Sequence, residues 1–155
     1  MSALKSVALA IDVASRQRDQ AGKLLMQAQR ACQYAQGQLD QLQSYAADSE
    51  SRWMAAAQIS MAPELLQHHY QFMNRLRHAI GMQDGVMADL QRQLDAAKKR
   101  SLQAEFRLAG LQQVLKNKQA EQAAVMARRE QKQTDEFAAM QFARGRSRPR
   151  HGEIS

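Results

Sequence analysis

Aromatic residues make up only 5% of this chain of 155 residues, and 2 Pro and 7 Gly leave it few natural break points. β-Branched residues are few and apolar and polar positions do not alternate, so a packed sheet has little to be built from; no strands are expected. No apolar run approaches the roughly 18 to 20 residues of a membrane span. The N-terminus also lacks the charged-then-apolar pattern and cleavage site of a signal peptide. These absences predict a soluble, intracellular protein. The single cysteine, Cys32, excludes an internal disulfide and gives no information about redox compartment.

What the chain does have is Ala, Gln, Leu, Lys and Arg, the composition of long helices, at a mean hydropathy of −0.59. From Leu4 to Trp53 one apolar stripe repeats. Leu4, Ile11, Arg18, Leu25, Cys32, Leu39, Ala46 and Trp53 share one heptad position, here a. Val7, Ala14, Ala21, Ala28, Ala35, Leu42 and Ser49 follow three residues later, at d. A stripe recurring every 3.5 residues over this many heptads marks a helix that winds around another helix. The spacing predicts a first helix over about 3–57, roughly 75 Å long at 1.5 Å per residue. Its d positions are mostly Ala, which lets the facing helix come close.

The break falls at Gln58-Ile59-Ser60-Met61-Ala62-Pro63-Glu64, a turn over about 58–63. Pro63 cannot continue an upstream helix but suits the first turn of a new one, and Glu64 favours the positive end of that helix's dipole. A second helix is expected over about 64–142. Leu66, Met73, Ile80, Met87, Leu94, Ser101, Leu108 and Leu115 form its a row, and His69, Leu76, Gln83, Leu90, Ala97, Ala104, Leu111 and Lys118 its d row. Folding about Ile59 sets Leu39 near Ile80, Leu25 near Leu94 and Leu4 near Leu115. A turn at Asp84-Gly85 is rejected because the heptad phase passes from Ile80 to Met87 without a skip. Arg18 and Ser101 interrupt both stripes at the same level. They act either as a polar pair fixing register or as a tolerated Arg snorkelling past a small residue.

Helical composition continues after the first helix has run out of residues to pair with, and the stripe turns polar at Gln122, Arg129, Lys132 and Glu136. Val125, Met126, Phe137, Met140 and Phe142 then have no partner inside one chain, so this overhang either frays or docks on another protein. The fold class expected is all-α: a long two-helix antiparallel coiled-coil hairpin over 1–142 with a C-terminal helical overhang. Residues 143–155, with Arg144, Arg146, Arg148 and Arg150, read as a disordered basic tail.

Catalysis finds little support. His68, His69 and His78 lie on one helix, but His68 and His69 point to different faces, and no Cys/His/carboxylate set stands at ligand spacing. There is no Gly-rich phosphate loop, and a two-helix pair has no wide cavity. The chain is expected to be no enzyme and to hold no cofactor or metal. Net charge is +7, concentrated beyond Arg92, which keeps nonspecific attraction to nucleic acid open. No base-reading motif or stacking aromatics accompany it, so no specific nucleic acid is expected as a partner and a solvated basic face is the simpler reading.

The aromatics mark one flank. Gln38 and Tyr45 on the first helix, and Phe72 and Ala79 on the second, take position g, and g faces g in an antiparallel pair. Tyr45 should lie near Phe72 and Gln38 near Ala79, above Leu42 and Leu76 in the seam. Such a strip either docks a partner or shields the coiled-coil core.

Three segments carry a resemblance: Ala31-Cys-Gln-Tyr-Ala-Gln-Gly-Gln-Leu-Asp-Gln-Leu-Gln-Ser-Tyr45, Tyr70-Gln-Phe-Met-Asn-Arg-Leu-Arg-His-Ala-Ile80, and above all the block from Arg128 containing Gln-Lys-Gln-Thr-Asp-Glu-Phe-Ala. Together they closely resemble the flagellar export FliJ family over nearly the whole chain. The resemblance implies the central stalk of the flagellar type III export apparatus, similar in form to the γ-subunit coiled coil of rotary ATPases. Its terminal end enters the hexameric export ATPase ring and promotes ring assembly; Leu4, Val125, Arg128, Arg129 and Phe137 are the residues of that end. A surface patch, matched here by Gln38, Leu42, Tyr45, Phe72, Leu76 and Ala79, binds the membrane export gate, and the family escorts export chaperones. The resemblance places the chain in the cytoplasm, peripheral at the inner-membrane export apparatus through the gate. Ser49, one heptad after Leu42, stands where another aromatic would extend the patch. A basic coiled-coil scaffold, a nucleic-acid-associated protein and the stalk of a virulence secretion system remain the alternatives.

Overall fold

The computed structural model describes residues 2–59 and 62–147, the side chain of Ser147 apart. It holds two helices in contact, α1 (Ala3–Ala57) and α2 (Pro63–Ser147), and no strand among the described residues. The fold is an all-α helical hairpin. Ser2 caps α1: its hydroxyl accepts the Lys5 N–H at 3.3 Å, and its carbonyl takes the Lys5 and Ser6 amides at 3.1 and 3.3 Å. At the other end the Ile59 N–H closes on the Ala56 carbonyl at 3.1 Å. α2 opens with Pro63 in its first turn, where the missing N–H would have no helical partner. The Ala62 carbonyl accepts the first bonds of that helix, from Leu65 and Leu66 at 3.1 and 3.2 Å. α2 is continuous through Asp84 and Gly85, so the unbroken heptad phase outweighs the local turn signal.

The chain divides into two compact units, one formed by 13–108 and the other by 1–12 with 109–155. In the first, the core is the seam. Ala14, Cys32, Ala35 and Leu39 of α1 are buried together with Met73, Leu76, Leu94, Ser101 and Leu108 of α2, every one at a or d. Three contacts set the register. Trp53 stacks on His69 with ring centres 3.9 Å apart, Tyr45 meets Phe72 edge-on, and the Gln83 side-chain amide donates to the Ala35 carbonyl at 3.0 Å. Residue numbers rise on α2 as they fall on α1, so the pair is antiparallel, in the register that puts Leu39 beside Ile80. Cys32 is buried, a small apolar side chain of the seam.

The polar level resolves in favour of a tolerated arginine. Arg18 turns to its neighbour, donating from Nε and Nη2 to Asp19 Oδ1 at 3.2 and 3.0 Å, while Ser101 is buried. The long arginine stem covers the seam and its guanidinium stays in solvent. The polar side chain that does cross between the helices is Gln83.

In the second unit Leu4, Val7 and Ile11 of α1, with Leu111, Leu115 and Lys118 of α2, are half-buried. From Gln119 to Arg146 every residue is exposed, yet the helix is unbroken. One side-chain pair a turn apart supports it, Gln131 donating to Asp135 at 3.0 Å, while the Thr134 hydroxyl bonds back to the Glu130 carbonyl at 2.9 Å. α2 runs five residues past the end expected at 142, because Arg144 and Arg146 sit in the last turn, where cations favour the negative end of the helix dipole. The Arg146 guanidinium also lies over the Phe142 ring, 4.8 Å from its centre. The rest of the basic tail, 148–155, lies outside the described residues, as do Ser60 and Met61 of the turn. Among the described residues no helix is long and apolar enough to cross a membrane.

This packing predicts a hierarchy of stability losses. Leu39→Ala should destabilise the 13–108 unit by about 2–5 kcal/mol through lost burial and a residual cavity. Gln83→Ala should cost only about 0.5–1.5 kcal/mol, because the Ala35 carbonyl keeps its helical partner. Urea unfolding followed by circular dichroism measures both.

Candidate functional site

The seam uses up rows a and d, so any docking surface must be built from the flanks. In the 13–108 unit the g rows of the two helices meet along one side, and they carry Tyr45 and Phe72. Tyr45 and Phe72 pack edge-to-face, ring centres 5.8 Å apart at 88°, the arrangement in which the positive edge of one ring meets the negative face of the other. Phe72 is half-buried and Tyr45 is 51% exposed, so the pair both covers the core and presents a ring to solvent. Leu76 is 7% exposed and belongs to the seam. Leu42 and Ala79 are half-buried and Gln38 is exposed.

Gln83 ties this flank to the core. Its amide nitrogen, besides reaching the Ala35 carbonyl, donates to Gln38 Oε1 at 3.3 Å, which fixes the Gln38 carboxamide on the surface. Gln38, Gln41, Leu42, Tyr45 and Gln83 together line a hollow of about 410 Å³. Four of the six patch residues expected from register and resemblance thus form the rim or the aromatic wall of one strip: Gln38, Leu42, Tyr45 and Phe72. Leu76 supports them from below. Gln41, exposed on the flank, and Gln83 line the hollow in addition to the residues expected; Gln83, a glutamine in row d, is itself a signal that a side chain reaches across the pair. Ser49 is half-buried and adds no ring.

The residues expected at the ring end all fall in the other unit. Leu4 is half-buried on α1, where the seam is still paired, while Arg128 and Arg129 are exposed on the unpaired part of α2. Val125 and Phe137 are 44% and 62% exposed. Val125 and Arg129 share a shallow hollow with Met126; Arg128 lies in another with Lys132, Asp135 and Glu136. This is a helix surface of mixed charge carrying large apolar side chains. Met126 and Met140, 60% and 58% exposed, stand on the same helix, among the overhang residues already named from the sequence.

His69 is stacked on Trp53, and among the described residues no three His, Cys, Asp or Glu side chains gather where they could hold a metal ion. Both candidate surfaces expose large apolar side chains.

The sequence model of the family described as the flagellar FliJ protein matches residues 4–147. The chain belongs to that family. The match takes in all of α1 but its first residue and all of α2. No individual curated protein matches the chain. Membership of the FliJ family implies a non-catalytic component of the flagellar export apparatus, which accords with a helical hairpin whose distinctive features are flanks and an unpaired end.

The aromatic contact predicts energetic coupling. In a double-mutant cycle of Tyr45→Ala and Phe72→Ala, unfolding free energies should show about 0.5–1.5 kcal/mol of interaction between the two rings. Additive losses would mean that each ring serves its own helix alone.

Proposed function

We propose that this chain is the central stalk of the flagellar type III export apparatus: a non-enzymatic protein that promotes assembly of the export ATPase ring and couples it to the membrane export gate. The unpaired helix from Gln119 onward, with Leu4 at the start of α1, is the end that enters the ring. The Tyr45–Phe72 flank is the grip on the gate, and through the gate the protein is peripheral at the inner membrane. Escort of export chaperones belongs to the same reading.

The observation that carries it is the unpaired helix. Every residue from Gln119 to Arg146 is exposed on a continuous helix, and Val125, Met126, Phe137, Met140 and Phe142 stand out from it as large exposed apolar side chains. Large apolar side chains held on a rigid helix without a core beneath them suit insertion into a sleeve of other subunits. Arg128, Arg129 and Lys132 beside them suit a sleeve with carboxylates on its wall.

Deleting residues 119–155 tests the assignment. ATPase-ring stimulation should be lost, while helicity per residue and cooperative unfolding of 13–108 persist. A truncated protein that stimulates the ring as well as the full chain contradicts it.

A further inference from the structure

The aromatic strip is one end of a longer face. In the heptad frame the g row of α1 reads Gln17, Leu24, Ala31, Gln38, Tyr45, and that of α2 reads Phe72, Ala79, Val86, Gln93, Arg100. The opposite flank of α2, row e, reads Tyr70, Arg77, Asp84, Gln91, Lys98, Glu105, and offers nothing apolar from Arg77 to Glu105. The register that pairs Tyr45 with Phe72 brings Leu24 to Gln93 and Gln17 to Arg100, and there the surface is hollow. Two adjoining concavities, of about 350 and 450 Å³, share Leu24, Ala97 and Arg100.

The hollow has a physical cause. Ala21 and Ala28 at d on α1, and Ala97 at d on α2, supply its floor; methyl groups cannot fill the space that leucines fill elsewhere in the seam, so a trough opens between the helices. Leu24 stands in it, 42% exposed. The rims are carboxamides, with Gln17, Gln20, Gln27 and Gln93 among them. Arg16 from α1 and Arg100 from α2 both line the same stretch, and no carboxylate lines either concavity.

We propose that this trough binds an amphipathic helix of a partner protein. The helix lays apolar residues spaced i, i+3 or i+4, i+7 on Leu24 and the alanine floor, and presents a carboxylate to Arg16 and Arg100. The competing occupant is a second copy, whose unpaired helix carries both Glu121 and Arg129 beside Val125 and Met126; the oligomeric state separates the two. The trough shares no lining residue with the hollow at Tyr45, so its occupancy is independent of the gate assignment.

The test uses the full chain and a synthetic, fluorescently labelled Leu/Ala/Gln helix carrying glutamates beside its apolar stripe, titrated by anisotropy. Leu24→Glu and Arg100→Glu should each weaken binding by about tenfold or more. A peptide with lysine in place of glutamate should regain affinity for Arg100→Glu. Both positions are exposed, so circular dichroism should show unchanged helicity; if Leu24→Glu loses helicity, the Arg100→Glu charge swap decides alone. Absent binding to the natural sequence, or equal binding by all variants, overturns the proposal. Self-association in sedimentation that Leu24→Glu abolishes also overturns it, by making the occupant a second copy.

Discussion

Everything in this molecule follows from the demand that two apolar stripes be buried against each other and nowhere else. A helix with one stripe at 3.5-residue spacing is marginal in water until that stripe is covered, and here α2 covers α1 in antiparallel register. The buried residues of the 13–108 unit all lie on the stripes, so the flanks are left free to vary. Alanine at d then has two effects. It draws the helices close, and where several alanines coincide it opens the trough beside Leu24.

A hairpin specified only by apolar stripes is vulnerable to slipping by a heptad, since each a or d residue finds a similar one seven positions away. The directional contacts oppose that slip. Gln83 binds the Ala35 carbonyl and the Gln38 side chain, and Trp53 stacks on His69; neither contact survives a shift of one heptad. The same glutamine holds the rim of the aromatic strip, which links core register to surface geometry. A docking surface on a coiled coil needs that link, because a slipped register would separate Tyr45 from Phe72.

The architecture was legible because its signal is periodic and long. Every residue of the a and d rows from Leu4 to Lys118 is buried or half-buried, and α2 opens at Pro63, where proline chemistry favours a helix start. Tyr45 against Phe72 followed from register alone. Less legible were features that depend on side-chain reach. Gln83 in a d row shows its role only once its amide is seen to cross the pair, and the choice between a polar lock and a snorkelling Arg18 is made only when its guanidinium is seen turned to Asp19. The extension of α2 to Ser147 was hidden because arginine and glycine together resemble a disordered tail, whereas Arg144 and Arg146 favour the dipole end of a helix already formed. The trough at Leu24 needed three-dimensional geometry, since alanines at d announce close packing without saying where the space beside them stays empty.

The central claim is that pairing ends while the helix continues, leaving a bare surface for another protein. Hydrogen exchange on the free, monomeric full-length chain tests this most directly. Strong amide protection is expected across 14–54 and 66–108, falling to the fast exchange of a solvent-exposed helix beyond Gln119. Protection as strong at 121–146 as in the paired segments, in a monomer, would show that this helix is already covered by its own chain and would contradict the account.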